Sequence, residues 1–530
     1  MEDSQSAQEK ASPPAAWESR AFWVVLALQI LPIWLFRYFP SQDGPIHLYN
    51  CTLLKDILTS TPHYGLTYYT LNPTFPVNVL GHVLLTALLF IAPPLIAEKL
   101  LITLYAIALG LSARYAFRSI RRESLFLSFL ILPMVFNWTV TMGFYNFIVA
   151  LPIFFWTYGY WRRHEETMSW RATAVLTLAM TVMYFAHLFV VVLAMLIFGV
   201  LVLMALLRAR RFDVWNVPQL RTTYAVLPAL VLSAMFVVHH RSDTPFASPF
   251  HGLRELPADL FHDNFVVSYY KEEGVIALAL TAFLIGVSIW RFRRANWKLD
   301  AHFAVMAVVF FLYLVLPDGM IGGTYSRTRF FLFAVFCNLF WLAQYTYSRR
   351  FVQITAAFSI AMALGLALFH AAAFHRLDPY LREYVAAGEV MERGKSMLVL
   401  NYSVLGRTAE GERIARRSGA FRHADGYIGL NRDLGLVDNY EAKAQVFPLV
   451  NVEGQNPFPM IVDLYDEPPC ADLDAYVAAR HRPMDYVLIW YPEAQDPKNV
   501  CVQTVMNHLH AGYTQIYSSP RNLAVVYRKK

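Results

Sequence analysis

The chain has 530 residues, of which 57% are hydrophobic and only 16% are charged, and its mean hydropathy is +0.38. Soluble domains carry about a quarter charged residues, so this composition indicates extensive contact with lipid. The formal net charge of +7 does not indicate nucleic-acid binding, because the basic residues stand in short runs beside apolar segments. Four cysteines are too few for a disulfide scaffold; Cys470 and Cys501 pair if their compartment is oxidising, and the alternative is two free thiols.

The first apolar segment, Ala21 to Phe39, follows a polar start of mixed charge and has no small-residue cleavage site. We therefore interpret it as a signal anchor. The apolar stretch from Thr173 to Leu207 is too long for one crossing and predicts two helices that meet near His187. The predicted spans are 22–39, 96–113, 123–138, 143–161, two within 173–207, 221–239, 274–291, 301–317, 328–347 and 351–374.

Loop charge predicts which side of the membrane each loop occupies. Arginine clusters lie beside the apolar segments at 114–122, 162–163, 208–211, 291–294 and 349–350. The positive-inside rule assigns all of these clusters to the cytoplasm, and the alternation from Arg122 onward places the tail after Phe374 outside.

The apolar segment 77–92 disturbs this alternation if it crosses the membrane fully. It is short, follows Pro73 and Pro76, and contains Gly81 and His82. We interpret it as a half-embedded or re-entrant helix, because irregular backbone is tolerated where it does not face lipid. About 11 spans and a cytoplasmic N-terminus follow; the alternative is 12 spans with an outside N-terminus.

Beyond residue 377 charged residues become frequent and apolar segments become short. Three β-type runs, Ser396–Asn401, Asp485–Trp490 and Leu523–Arg528, are interleaved with helical patterns such as Ala471–Ala479. Strands that alternate with helices predict a small α/β domain.

The predicted fold is therefore an α-helical polytopic membrane protein with a separate C-terminal α/β domain outside the membrane. Residues 1–21 form a cytoplasmic tail, and residues 22–375 form the transmembrane domain with its first outer loop at 40–75. Residues 376–530 form the soluble domain.

The first outer loop opens with the sequence SQDGP, which contains Asp43, and an amphipathic stretch from His47 to Leu58 follows. Its apolar side predicts a helix along the outer interface, formed by Leu48, Leu53, Leu54, Ile57 and Leu58. This arrangement places Asp43 at the water–lipid boundary, where the headgroup of a lipid-linked substrate lies. The alternative is a turn or helix-capping residue, because Asp-Gly and Gly-Pro are common in turns.

Three further residues on the outer side are candidates for a functional role. His187 lies at a turn between two spans, where an ionisable group marks a functional cavity or bonds a neighbouring helix. Arg327 and Arg329 stand at the outside head of a span, against the positive-inside trend. Their planar guanidinium groups suit phosphate, and the alternative is snorkelling to lipid headgroups.

The long outer loop around 240–272 is rich in histidine and aspartate. These residues are His239, His240, His251, His262, Asp243, Asp259 and Asp263. No pair has the close spacing of zinc ligands on a helix. We therefore interpret the segment as an acceptor-binding or lid loop, since loops of this length are often functional.

These features resemble the glycosyltransferase-C (GT-C) superfamily, whose plan is shared by bacterial aminoarabinose transferases and protein O-mannosyltransferases. The resemblance rests on a membrane helix, an outside loop that opens with Asp43, an interfacial helix and the half-embedded segment TFPVNVLGHVLLTALLF. An outside α/β tail adds to it. The overall plan of the whole chain resembles this superfamily, but individual motifs match only within the first 120 residues.

The resemblance implies transfer of a sugar from a polyprenyl-phosphate donor to a lipid, glycan or protein acceptor, on the outer face of the bacterial inner membrane. Asp43 occupies the place of the catalytic base. Related enzymes place a basic residue on the lipid phosphate, which supports Arg327 or Arg329. His47 and His187 are assigned to the binding of substrate.

One departure concerns metal. Many members of the superfamily carry a second acidic residue in the next outer loop, often tied to a metal ion, but the loop from Asn137 to Asn146 contains no carboxylate. We therefore expect no metal and no other cofactor. Tyr145 and Asn146 are then candidates to hydrogen-bond a sugar, and the alternative is that they cap helices or join neighbouring helices.

Three other functions remain open. A transporter or flippase of lipid-linked glycans is expected to have repeated halves with matching broken helices, and no such symmetry is visible in the sequence. A polysaccharide polymerase or ligase is expected to centre its chemistry on a large mid-chain loop such as 240–272. A non-catalytic protein of envelope assembly needs neither feature.

Overall fold

The computed structural model describes residues 16–74, 77–210, 218–239, 255–261, 264–294, 300–319, 324–408, 410–461 and 470–530. Helices occupy every predicted span in this part of the chain. In chain order they are α1 (Ala16–Leu35), α2 (Gly44–Thr59), α3 (Leu80–Leu89), α4 (Pro94–Ile120), α5 (Leu132–Val135), α6 (Trp138–Thr141), α7 (Tyr145–His164), α8 (Trp170–Ala186), α9 (Leu188–Ala209), α10 (Arg221–His239), α11 (Leu256–Phe261), α12 (Glu273–Phe292), α13 (Ala301–Val315), α14 (Ser326–Leu342) and α15 (Arg349–Ala386).

The membrane domain is built from these apolar helices. Seven helical segments of the described chain are long and apolar enough by themselves to cross a bilayer. One of them, Arg122–Thr141, begins as a 3₁₀ helix and is almost wholly buried among the others, whereas Glu273–Phe292 is mostly exposed. The prediction of a multi-pass helical membrane protein is confirmed.

The disputed apolar segment forms the short helix α3. Its 10 residues span about 15 Å, which is half the thickness of a hydrocarbon core of about 30 Å. Gly81 at its start packs against Asn146 of α7, where an added Cβ would lie 2.7 Å from Oδ1 of Asn146. The length of α3 agrees with a helix that enters the membrane region without crossing it.

The last membrane helix continues into the tail without a break. The sequence predicts a span at 351–374, whereas α15 runs for 38 residues to Ala386, a length of about 57 Å. Leu377, Leu381 and Tyr384 remain buried on its extension because the tail packs around them. The predicted domain boundary at residue 375 therefore lies inside one continuous helix.

The tail forms an α/β domain, as predicted. Its helices are α16 (Asp425–Arg432), α17 (Tyr440–Ala444), α18 (Leu473–Arg480) and α19 (Val500–Gly512). Its strands, numbered after β1 (Tyr69–Leu71) of the first loop, are β2 (Ser396–Asn401), β3 (Gly435–Leu436), β4 (Leu449–Asn451), β5 (Tyr486–Trp490), β6 (Tyr513–Ser518) and β7 (Ala524–Lys529).

Five of these strands form one mixed sheet in the order β3-β2-β5-β7-β6. Strand β2 is parallel to both β3 and β5, with Val399 opposite Leu488. Strand β7 is antiparallel to β5 and β6. Strands β2 and β5 are buried along their whole length, which explains why their sequences are continuous apolar runs. Cys470 and Cys501 form a disulfide in this domain, with their Cα atoms 5.5 Å apart.

The first outer loop is joined to the tail by a second, two-stranded sheet. Strand β1 pairs antiparallel with β4, with Tyr69 opposite Asn451. The predicted interfacial helix is α2, but its first ten residues, Gly44–Leu53, are mostly buried, and only its end is exposed at Leu58. The prediction that α2 lies along the lipid surface is therefore wrong for its first half, because α16 of the tail covers it.

We predict that a cysteine at position 60 is labelled from the outside and a cysteine at position 119 is not. Ser60 ends α2 in the first loop, and Ser119 ends α4 beside the first arginine cluster. A membrane-impermeant maleimide on cells that express S60C or S119C checks this. The native Cys51 and Cys337 are buried and give a low background. Outside labelling at position 119 would show that segment 77–92 crosses fully.

Candidate active site

The loop that carries Asp43 is held by backbone hydrogen bonds to the turn between α6 and α7. The N–H of Gln42 donates to the carbonyl of Thr141 at 3.0 Å, and the N–H of Asp43 donates to the carbonyl of Met142 at 3.0 Å. Pro45 then begins α2, where its missing N–H costs no hydrogen bond. The backbone of Asp43 is thus fixed before its side chain makes any contact.

Gly143 allows this close approach. Its φ is +79°, and a Cβ at this position would lie 2.5 Å from the N of Gly44 and 3.0 Å from the backbone of Asp43. Only glycine provides both the left-handed backbone and the open space. The predicted loop from Asn137 to Asn146 therefore acts first as the support of Asp43.

The Asp43 carboxylate does not cap helix α2, although its residue stands at the N-cap position. Its Oδ1 accepts a hydrogen bond from Nε2 of Gln42 at 3.1 Å and lies 3.8 Å from Nε2 of His423. The capping alternative is therefore excluded, and the carboxylate faces side chains of the first loop and the tail.

Burial sets the protonation behaviour of this pair. Asp43 is only 6% exposed, and this burial raises its pKa above the usual value, while His47 and the hydrogen bond from Gln42 act in the opposite direction. Burial, together with Arg422, lowers the pKa of His423 well below its usual range, so this imidazole is neutral. Asp43 is thus a stronger base than an exposed aspartate.

Behind Asp43 lies a cluster of two histidines and a glutamate. Nδ1 of His47 contacts Oε1 of Glu441, and Nε2 of His82 lies 2.9 Å from Oε2 of the same carboxylate. The two ring nitrogens are 3.3 Å apart. Nδ1 of His47, a predicted substrate-binding residue, is directed to Glu441 of the tail.

Tyr145 and Asn146 begin α7 and make hydrogen bonds within the protein. The Tyr145 hydroxyl donates to Oε1 of Glu98 at 2.7 Å, and the Tyr427 hydroxyl of the tail donates to Oε2 of Glu98 at 3.1 Å. Asn146 accepts from the N–H of Gly81 at 2.7 Å. Tyr145 lies beside the loop that carries Asp43, and Asn146 lies against α3; both make the contacts between helices that were the alternative to binding a sugar.

His187 and Arg329 form a second group. The ring of His187 is 5.2 Å from that of Phe147, and its Nδ1 accepts from the N–H of Phe189 as an N-cap of α9. The guanidinium of Arg329 lies over the rings of Phe144, Phe147 and Phe189, at 4.9, 5.2 and 5.9 Å. The capping role of His187 is thus observed, and the residue adjoins the arginine.

Arg329 is buried, and it is electrostatically coupled to Asp43 and to Asp318. Arg327, two residues earlier, points elsewhere: its NH1 lies 3.5 Å from Oε2 of Glu255, and its guanidinium stands over the ring of Tyr313. Of the two predicted phosphate ligands, Arg329 is therefore the one whose charge is influenced by that of Asp43. A buried arginine does not snorkel to lipid headgroups.

Most of the histidine-rich loop lies outside the described residues. This applies to His240, Asp243, His251, His262 and Asp263. Its end is described, and it lies beneath the Asp43 loop. The Tyr269 hydroxyl donates to the carbonyl of Pro40 at 2.7 Å. Glu273 accepts from the backbone N–H groups of Ser268 and Tyr269 and so fixes this turn.

Comparison with solved structures identifies the fold. The crystal structure of ArnT from Cupriavidus metallidurans bound to undecaprenyl phosphate has a TM-score of 0.53 and 11% identity, and the match covers 97% of this chain and 98% of that one. ArnT from the same organism in the apo state has a TM-score of 0.55 and 10% identity, with 96% and 97% covered. No protein-family model matches the chain. No curated protein matches it in sequence.

The chain has the GT-C fold. The resemblance that rested on the first loop and the outside tail is confirmed at this level, over nearly the whole chain. Asp43, His47 and Tyr145 lie where the first loop meets α7 and the tail, and Asn146 lies beside His82.

Sequence reasoning missed several residues of this candidate site. Glu98 had a signal, because a carboxylate inside the predicted span 96–113 is costly at membrane depth and marks a functional or structural partner. His82 was noted only as a reason to doubt a full crossing. Glu441 and His423 had no signal at all, because their role depends on where the tail folds.

We predict that G143A destabilises the protein by at least about 2 kcal/mol, since it combines a strained φ with contacts against the backbone of Gly44 and Asp43. Thermal unfolding of the detergent-solubilised protein checks this as a lowered Tm. The control is G199A in α9, where a Cβ meets nothing within 4 Å. That change is expected to leave the Tm equal or slightly raised. Equal Tm values for both variants would contradict the role of Gly143.

Proposed function

We propose that this protein is a membrane glycosyltransferase that moves a sugar from a polyprenyl-phosphate donor to an acceptor hydroxyl, with Asp43 as general base. The observation that carries the proposal is the Asp43 carboxylate: it is buried at the end of a membrane helix, it is not used as a helix cap, and its pKa is raised. The GT-C fold gives this position its context.

The chemistry needs one base. The acceptor oxygen attacks the anomeric carbon while its proton passes to Asp43, and the bond from that carbon to the phosphate oxygen breaks with inversion. The electron pair leaves with the polyprenyl phosphate, which is stable as an anion and requires no general acid. One carboxylate therefore suffices, in contrast to the two of glycoside hydrolases.

Arg329 is the proposed ligand of the donor phosphate. It is an arginine buried among three aromatic rings and electrostatically coupled to Asp43. A phosphate group that binds a buried guanidinium can accept two parallel hydrogen bonds from it. The solved relative that binds undecaprenyl phosphate supports a lipid phosphate as the donor class. Arg327 and His187 then shape the entrance to this position.

The same proposal places Asp43 and the tail on the outer face of a bacterial inner membrane, with the N-terminus in the cytoplasm. The acceptor is a lipid, glycan or protein that carries a hydroxyl. In the present conformation His423 and Gln42 cover Asp43, so the acceptor reaches the carboxylate when these tail and loop side chains move aside.

We predict that D43N abolishes sugar transfer, because the amide has no proton affinity, while the protein still folds and binds the lipid phosphate. The assay follows transfer in membranes of cells that make lipid-linked sugars, and thermal unfolding checks folding. The control is D56N, because Asp56 is partly exposed and lies near the C-terminal end of the same helix. Full transfer activity in D43N would refute the mechanism.

We predict that R329Q weakens binding of polyprenyl phosphate about 10- to 100-fold, because one charge-assisted hydrogen-bonding group contributes about 1.5–3 kcal/mol. Binding of a fluorescent polyprenyl phosphate to the purified protein measures this. The control is R163Q near the C-terminal end of α7, where Arg163 likewise lies over an aromatic ring, that of Tyr115. Equal affinities for both variants would remove Arg329 from the donor site.

A further inference from the structure

Three side chains from distant parts of the sequence converge behind Asp43. His47 lies on α2, His82 on α3 and Glu441 on α17 of the tail, and their exposed fractions are 4%, 2% and 0%. One ligand atom from each lies within 4.8 Å of the other two. Three elements of the fold thus direct donor atoms to a single point away from solvent.

The polar atoms of this cluster lie within hydrogen-bond distance of one another. Nδ1 of His47 faces both Oε1 of Glu441 and Nε2 of His82, and Nε2 of His82 faces Oε2 of Glu441 as well. A ring nitrogen carries at most one proton, which serves one of two such neighbours well. If each ring donates its proton to one oxygen of Glu441, no proton remains for the contact between the two ring nitrogens, which are 3.3 Å apart.

A metal ion satisfies all three residues at once. Two nitrogens bound tetrahedrally to zinc at about 2.05 Å lie about 3.3 Å apart. The two imidazole nitrogens here are 3.3 Å apart. Two histidines and a glutamate are a known zinc ligand set, whereas magnesium and calcium prefer oxygen ligands alone. We propose that His47, His82 and Glu441 bind one divalent transition-metal ion of the zinc class.

This inference replaces the expectation of metal independence. That expectation rested on the lack of a carboxylate in the loop from Asn137 to Asn146. The carboxylate of Glu441 comes instead from the tail. The ion links the tail to α2 and α3 four residues from Asp43, and its binding does not depend on the sugar-transfer activity.

The test measures zinc in the full-length protein, purified in detergent without a histidine tag. After dialysis against zinc chloride and then metal-free buffer, elemental mass spectrometry is expected to find about one zinc ion per chain. E441Q and H82N are expected to lower this content at least tenfold. H508Q is the matched control, because His508 pairs with Asp474 at 2.9 Å and the described residues offer no third ligand there. The zinc content of this variant is expected to equal that of the wild type.

Background zinc in the wild type, or equal zinc in all variants, would overturn the site. X-ray absorption on the wild type is an independent arm if E441Q or H82N fails to fold. It is expected to show nitrogen and oxygen at about 2.0–2.1 Å, and a sulfur at about 2.3 Å would assign the ion to cysteine instead. D43N is expected to retain zinc, so failure of the metal site and failure of the transfer mechanism are distinguishable.

Discussion

The structure depends on the requirement that polar groups buried at the end of the membrane domain find partners inside the protein. The first outer loop carries Asp43, His47 and Asn50 into a region from which water is excluded. The tail supplies the partners: His423 for the first, Glu441 for the second and Asn439 for the third. Burial without these partners would cost several kcal/mol for each charged group.

The same requirement explains how closely the tail packs. Asn50 and Asn439 exchange two amide hydrogen bonds, and the Tyr49 hydroxyl donates to the carbonyl of Leu434 at 2.8 Å. Gly426 and Gly429 of α16 have no side chain at the points where α2 approaches. The tail is thus one wall of the candidate site, and the electrostatic environment of Asp43 is set jointly by both parts of the chain.

The elements that the sequence predicts well are those in which one physical property dominates. Long apolar runs give the membrane helices, and the buried strands Ser396–Asn401 and Tyr486–Trp490 are continuous apolar runs flanked by polar residues. Asp43 was found because a carboxylate on a Gly-Pro turn at the end of a membrane helix is conspicuous. The local sequence predicted where Asp43 lies, but it did not decide whether Asp43 is a catalytic base or a turn or helix-capping residue.

The remaining parts of the site depend on contacts between residues far apart in the chain. Helix α2 looks amphipathic because one face is apolar, yet that pattern does not reveal whether lipid or the tail covers it. Glu441 and His423 stand in ordinary polar segments, and only the packing of α16 and α17 brings them to α2. Glu98 is the exception, because a carboxylate inside a predicted membrane span is energetically costly, and this can be recognised from its position in the sequence alone.

The pairing of the first loop with the tail also constrains the order of events during synthesis. Asn50 and Asn439 are 389 residues apart, so the ribosome completes every membrane helix before the partner of the loop exists. Contacts of such separation form late, because the whole intervening chain must be closed into a loop first. The nascent protein therefore carries an incomplete site until its last domain has folded, and a chain truncated before His423 lacks every tail partner of that site.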